Sequence, residues 1–586
     1  MTLAYQAPLD EMRFLLNDVF DANHFWQNTP ALNHVDGETV EMILAEMAKF
    51  SSQVILPLNQ TGDDEGARYL GDGAVVTPTG YKDAFASYAE AGWVGLGGDP
   101  DFGGQGMPKM VTMLTDEMLF ATNQAFALYP NLTTGASLCL LAAGSDIQKH
   151  TYLPKLYSGE WSGTMCLTEP HAGTDLGMIK TRATPNDDGS YSITGTKIFI
   201  TAGEHDLTDN IIHLVLAKTP NAPAGSKGIS LFIVPKFLIN DDGSLGARNL
   251  LSAGAIEHKM GIKASATCVM NFDGATGYLL GNENTGLATM FIMMNYERLT
   301  MGLQGLGAME LAYQNALHYA KDRLQGRADD GIKSADKPAD SILYHGDVRR
   351  MLLNVRAYAE SARCFAMYAA QALDIAKFSD NPSKKTKAAA KVALLTPIAK
   401  AFLTDRGFEA TIDAQQVFGG HGYIKEWGME QLVRDTRISQ IYEGTNGIQA
   451  LDLLGRKVVK DNTTTLYDLL EEIISCADRL PDHPIKEALY QVSARLRTLT
   501  DFVLNNAKTH PALINGVAVD YLQALGYLCL AYMFGLIIKA CDGKQGEFYD
   551  NKRTLAAYFV KRLLPRLYAH ADMVEAGVDE VMAYQF

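Results

Sequence analysis

The chain has 586 residues, 47% of them hydrophobic and 20% charged; these are ordinary globular values, so no long stretch is expected to be disordered and two to four domains are expected. Its net charge is −16 and its pI about 5.3, which argues against nucleic acid as the main partner, because phosphate binding needs clustered Lys and Arg. An anionic small molecule stays open, since it needs only a local basic site.

At the N-terminus, Met12, Leu15, Leu16, Val19 and Phe20 mark an amphipathic helix carrying Asp10, Glu11 and Asp18, and no signal peptide is evident. Residues 1–38 read as a helical extension and 39–160 as a helical domain, with Val40, Ile43, Leu44, Met47 and Phe50 at helical spacing. The glycine-rich loop 95–106 lacks a P-loop lysine and a strand–helix setting, so it reads as a structural turn. Residues 161–280 change texture to short runs rich in Ile, Val, Phe and Thr: 164–168, 191–201, 211–217, 229–235 and 267–272. No helical pattern intervenes, which predicts an antiparallel sheet or barrel and excludes a Rossmann unit.

Helical patterns return over 284–458. Within them Gly302-Leu303-Gln304-Gly305-Leu306-Gly307 has no strand before it, so close helix packing explains its glycines better than a dinucleotide fingerprint does. The polar stretch 327–340 reads as a surface loop. After a polar break at 461–465, residues 465–586 form another helical set, a candidate appended domain. Its run from Tyr521 to Ile538 carries no charge but contains Gln523 and three tyrosines. It reads as a buried bundle helix, with peripheral membrane contact the less favoured reading. The seven cysteines are scattered with no CxxC pair, so no metal site is expected and a cytoplasmic location fits.

The most informative stretch is Gln440-Ile441-Tyr442-Glu443-Gly444-Thr445-Asn446, preceded by Phe418-Gly419-Gly420-His421-Gly422. Glu443 stands between an apolar approach and a flexible polar exit, a setting that raises a carboxylate pKa towards the range useful for a base. An acidic residue before glycine also closes many ordinary turns.

Several motifs in order give the stretch its meaning. Met165-Cys166-Leu167-Thr168-Glu169-Pro170-His171-Ala172-Gly173-Thr174-Asp175, Gly195-Thr196-Lys197-Ile198-Phe199-Ile200-Thr201, Lys259-Met260-Gly261-Ile262-Lys263 and Gln416 to Tyr423 lead through Arg434-Asp435 into Tyr442-Glu443-Gly444-Thr445. Over residues 40–455 the chain thereby resembles the acyl-CoA dehydrogenases. With its extension and extra domain it is similar to the larger bacterial members, including those grouped with 3-methylmercaptopropionyl-CoA dehydrogenases. The resemblance implies an α+β multidomain fold: a helical N domain, an antiparallel β-barrel middle domain, a four-helix-bundle C domain and an appended C-terminal helical domain. It implies FAD as cofactor and oxidation of an acyl-CoA, fatty or 3-methylmercaptopropionyl, to the trans-2-enoyl-CoA. Glu443 would take the α-proton while the β-hydride passes to flavin N5.

The same resemblance assigns FAD to Leu167, Thr168, Thr174, Phe199, Thr201 and Thr445, with Arg323, Gln416 and Gly420 contributed by a neighbouring subunit of a homodimer or homotetramer. Arg298, Tyr442 and Gly444 would meet the substrate. Electron-transfer flavoprotein would accept the electrons. Phe199 stands where the family usually has tryptophan, the sequence from Arg323 to Arg327 departs from the R-x-x-F-G pattern, and Gly447 replaces a usual glutamine. Glu297, immediately before Arg298, occupies the position from which some branched-chain and long-chain members draw their base, so it is the rival to Glu443. Two other readings share the layout: an acyl-CoA oxidase that returns electrons to oxygen, and a non-catalytic flavin or acyl-CoA binding protein.

Overall fold

The structure, a computed structural model, describes residues 3–586. They divide into two compact units: one comprises residues up to Ser52, Lys109–Ala121 and Arg298–Phe586, the other Gln53–Pro108 and Thr122–Glu297.

In the second unit the middle sheet contains β1 (Trp161–Cys166), β2 (Arg182–Pro185), β3 (Tyr191–Thr201), β4 (Asn210–Lys218), β5 (Ile229–Pro235), β6 (Leu251–Ile256) and β7 (Thr267–Leu279). Pairings run β7–β3–β2–β4–β5 and back to β7, closing a ring, with β6 added beside β7 and β1 beside β4. The expected antiparallel sheet needs correcting at two pairings, the smaller being β2 with β4, which meet in parallel at Arg182 and Lys218. β1 pairs β4 in parallel along its whole length, from Trp161 opposite Asn210 to Cys166 opposite Val215. The long connection between the two strands makes this possible, since a parallel pair cannot be joined by a tight turn. β5 and all of β4 but its last residue are buried, which explains their continuous apolar runs. Ile193, Val215, Phe232, Val234, Met270 and Phe272 fill the core. The Gln124–Ala143 helix approaches β1 closely: a Cβ on Gly163 would lie 2.5 Å from Ala136 Cβ. The glycine-rich loop is a turn closed on itself, where a Cβ on Gly104 would meet the Gly98 carbonyl carbon at 2.1 Å.

The first unit is helical. Its long elements are Gly346–Phe378, Pro382–Val417 and the part of Gly286–Asp322 from Arg298 onward, followed by Thr464–Asp478, Pro484–Asn506, Leu513–Ala540, Glu547–Arg562 and Pro565–Glu575. The Gly302–Gly307 stretch is helix packing, as its context suggested. A Cβ on Gly302 would be 2.8 Å from Ala399 O, and one on Gly305 would be 2.7 Å from Leu403 O. The polar 327–340 loop is organised around Asp340, whose buried carboxylate accepts from the backbone N–H groups of Ala328, Lys333 and Ser334 at 2.7–3.0 Å.

Among the described residues two helices, Gln124–Ala143 and Leu513–Ala540, are long and apolar enough to cross a membrane by length and composition. In the second, 94% of the most apolar window is buried, so its composition answers to packing against other helices. A Cβ on its Gly526 would come within 2.3 Å of the Phe402 ring.

Buried charges link the bundle helices. Arg363 donates through Nε to both Glu117 oxygens (2.9 and 3.0 Å) and through Nη2 to Glu117 (2.6 Å) and Glu310 (2.7 Å), with all three side chains at most 2% exposed. Glu11 of the N-terminal Leu9–Phe14 helix accepts from Arg356 at 2.6 Å and pairs with Lys552 of the appended segment.

Candidate active site

Each unit carries its own share of the predicted site residues. In the first, the short turn Ile438–Gln440 delivers the chain to Glu443, where the backbone enters the left-handed region (φ 56°) and stays there at Gly444 (φ 82°). A non-glycine residue in that conformation costs about 1–2 kcal/mol. The turn is held downstream. Thr445 caps the Asn446–Leu451 helix through Ile448 N, and Gln449 Nε2 donates to Glu443 O at 3.1 Å. A Cβ on Gly444 would meet that same Gln449 nitrogen at 2.6 Å, so glycine is required twice over.

Glu443 is partly buried. Burial pushes its carboxyl above the usual carboxylate range, opposed by the positive charges of Arg298 and Lys400. Among the described residues neither its carboxylate nor its backbone N–H makes a hydrogen bond. The result is a basic oxygen pair and a fixed donor in one residue, both open. Tyr442, just before it, donates from its hydroxyl to Gln304 Oε1 at 2.6 Å. Arg298 is 9% exposed and faces Glu443, Asp452 and Arg456; burial lowers its pKa.

Two residues that sequence reasoning passed over, Lys400 and Asp405, complete this surround together with Asn446. Lys400 is fully buried, and desolvation brings its pKa down to about 7 against the raising influence of Glu443 and Asp405. Its Nζ donates to Asn446 Oδ1 at 2.8 Å, and Asn446 Nδ2 donates to Asp405 Oδ1 at 2.7 Å. The available signal was a lysine and an aspartate five apart in segment 398–405, whose only other polar residue is Thr404.

The second unit holds Leu167 and Thr168 at the end of β1. Buried Lys197 Nζ donates to Leu167 O (3.0 Å) and Glu169 Oε1 (2.9 Å), and Ile198 N donates to Thr168 O (2.9 Å). Beside this clamp, the β3–β7 register slips between the Lys197–Met270 and Ile200–Cys268 pairs. Phe199 sits in that bulge with φ 58° and is 59% exposed, a large aromatic ring turned out of a strand. The Thr168 and Thr201 hydroxyls have no hydrogen-bond partner among the described residues. Thr174 is exposed in the loop that follows β1. An exposed planar ring, open hydroxyls on adjacent segments and an exposed threonine fit a flavin and its phosphates.

Arg323 and Gly420 come together in the first unit on a cavity of about 380 Å³, which Tyr319, Phe418 and His421 also line. Tyr319 stacks on Phe418 (ring centroids 4.3 Å apart) and its hydroxyl meets His421 Nδ1 at 2.9 Å, which ties three of the lining residues together. Gln416 is exposed at the helix end just before Val417 and does not line the cavity. Glu297, the rival base, is 1% exposed; a Cβ on Gly135 would lie 2.6 Å from its Oε1, and its charge adds to the burial that pushes the Cys139 thiol up to about 12.

Comparison with known proteins identifies the family. The acyl-CoA dehydrogenase N-terminal domain matches residues 37–160, the middle domain 164–275 and the C-terminal domain 284–458, while an acetyl-CoA dehydrogenase C-terminal-like domain matches 469–585. The chain is 40% identical to the 3-methylmercaptopropionyl-CoA dehydrogenase of Ruegeria pomeroyi, over 98% of this chain and 99% of that one. It is 32% identical to a broad-specificity linear acyl-CoA dehydrogenase of Mycobacterium tuberculosis, over 94% of each. The crystal structure of an acyl-CoA dehydrogenase from Bacillus anthracis superposes with a TM-score of 0.76 at 23% identity, covering 97% of this chain and 92% of that one, and shows the shared fold. The chain belongs to the acyl-CoA dehydrogenase family of FAD-dependent oxidoreductases.

Proposed function

We propose that this enzyme oxidises an acyl-CoA thioester to the trans-2-enoyl-CoA with Glu443 as its base. The observation that carries the reading is a carboxylate with raised proton affinity and no hydrogen bond of its own, held in a strained turn beside an unused backbone donor. In this reading Glu443 takes the α-proton on its carboxylate, and its N–H holds the thioester carbonyl oxygen as negative charge develops there. FAD, when bound, supplies the acceptor for the hydride leaving the β-carbon. Leu167, Thr168, Phe199 and Thr201 would hold the flavin ring and Thr174 the pyrophosphate, with Thr445 on the catalytic-loop side. Arg323, Gln416 and Gly420 would serve a neighbouring subunit's dinucleotide in a homodimer or homotetramer. Tyr442, Gly444 and Arg298 would position the thioester, Arg298 also steadying the Glu443 charge. Glu297 is disfavoured as base because its Oε1 is seated against the Gln124–Ala143 helix at Gly135.

The division of labour follows the reading of 1–38 as extension, 39–160 as helical domain, 161–280 as β domain, 284–458 as catalytic bundle and 465–586 as appended domain. The substrate is 3-methylmercaptopropionyl-CoA or a fatty acyl-CoA, a choice supported by relatives named for 3-methylmercaptopropionyl-CoA and for linear acyl-CoA, and electron-transfer flavoprotein is the acceptor in the cytoplasm. The deciding experiment is anaerobic mixing with straight-chain acyl-CoAs of increasing length and with 3-methylmercaptopropionyl-CoA while following flavin absorbance. Bleaching by one subset is expected and names the substrate class. Yellow protein that no thioester bleaches would overturn the reading in favour of a binding protein. Stoichiometric peroxide in aerobic turnover would make it an oxidase.

A further inference from the structure

The Leu513–Ala540 helix lies in the appended segment, outside the three matched dehydrogenase domains. One of its buried side chains nevertheless reaches the support of the base loop. Gln523, 5% exposed and the polar residue of an otherwise apolar stretch, donates from Nε2 to Asp405 Oδ2 at 2.6 Å. The other oxygen, Asp405 Oδ1, accepts from Gln440 Nε2 and from Asn446 Nδ2, both at 2.7 Å. Gln440 stands three residues before Glu443 and Asn446 three after it, so one carboxylate clamps both ends of the strained turn. The charged group facing this carboxylate from its own helix is Lys400, which also reaches Asn446 Oδ1.

Gln523 Oε1 is buried and accepts no hydrogen bond among the described residues, a destabilising arrangement in an apolar helix. The amide orientation is dictated by chemistry, because turning it over would set Oε1 against a carboxylate. With only its donor in use, the Gln523 amide makes a single polar contact among the described residues, the one to Asp405.

We propose that Gln523 is a positioning residue for catalysis: by locking the Asp405 carboxylate it lets the appended helix hold Gln440 and Asn446, and through them the Glu443 turn, in the reactive geometry. The proposal rests on the reading of Glu443 as base. It gives the appended domain a part in the chemistry without contact with substrate or flavin.

The test uses the FAD-loaded full-length enzyme and anaerobic flavin bleaching by the best thioester of the panel. Gln523→Met keeps the shape and removes the donor. Its limiting bleaching rate is expected to fall about tenfold, the order produced by small misplacements of catalytic groups, with flavin content unchanged and the apparent dissociation constant for thioester within about twofold. In an Asp405→Asn background the same change should lower the rate no further, since both act through one node. A Gln523→Met rate equal to wild type, a double variant whose losses multiply, or a loss explained wholly by missing flavin would each overturn the proposal.

Gln523→Glu provides the second arm. Its rate relative to wild type should be low at alkaline pH, where two carboxylates face each other, and should recover as pH falls and the new carboxyl becomes a donor. A pH-independent ratio would count against the mechanism. Glu443→Gln is run alongside. If it bleaches normally, the base assignment fails and takes this inference with it; if it is silent while Gln523→Met is normal, only this inference fails.

Discussion

The helical unit holds two sets of buried charge with opposite treatment. Around Arg363, Nε and Nη2 are spent on Glu117 and Glu310, every contact is short, and the three side chains come from three helices. Around Glu443, the carboxylate accepts no hydrogen bond among the described residues, the nearest cations are held by other partners or by burial, and the backbone is in a costly conformation. Desolvated charges are tolerated when paired, so the first set reads as architecture. A charge left without hydrogen bonds where partners exist nearby reads as a group kept for something that arrives later.

Substitutions should separate the two sets. Glu443→Gln, at the open site, is expected to lower the flavin bleaching rate by about 10³-fold or more while flavin content and melting temperature stay near wild type. Bleaching within tenfold of wild type would remove Glu443 from its role. Arg363→Met, at the paired site, should do the reverse. It strands two buried carboxylates and costs about 3–5 kcal/mol of stability, seen as a lower melting temperature and poor yield, while the molecules that do fold bleach normally.

Lys400→Met sharpens the contrast through pH. Glu443 must be deprotonated to act, so the rate falls as pH drops through its raised pKa. Removing the Lys400 charge removes one influence that lowers that pKa. The acidic limb of the rate profile should therefore move to higher pH by about one unit, the loss being largest at low pH. An unmoved limb would mean that Lys400 acts only through Asn446. The smallest effect is expected from Glu297→Gln, whose bleaching rate should remain within about twofold of wild type, as befits a carboxylate seated against a neighbouring helix. A collapse of the rate there would promote Glu297 to the base.

Local signals carried far in this chain. Turn residues and β-rich runs located Tyr191–Thr201 and Ile229–Pro235 to the residue, because strand ends are set by nearby glycine, proline and polar residues. The parallel pairing of β1 with β4 was out of reach, since strand direction is decided by a partner some fifty residues away. The Phe199 bulge was likewise hidden: an alternating strand pattern does not announce one extra residue, and only the register against β7 exposes it. Gln523 was visible as a polar residue in an apolar run, but its meaning needed Asp405, 118 residues earlier in the chain.

The sequence by itself determined the family, the helical–β–helical order, the glycine turn that carries Glu443, and the packing role of the Gly302–Gly307 stretch. These follow from contiguous residues whose backbone freedom, polarity and spacing act locally. Only the tertiary structure decided which buried charges are spent on one another and which stay open, how β1 joins the sheet, and that one aspartate holds both ends of the Glu443 turn with help from the appended helix. Those facts depend on desolvation and hydrogen-bond geometry between distant segments, which exist only once the chain has closed on itself.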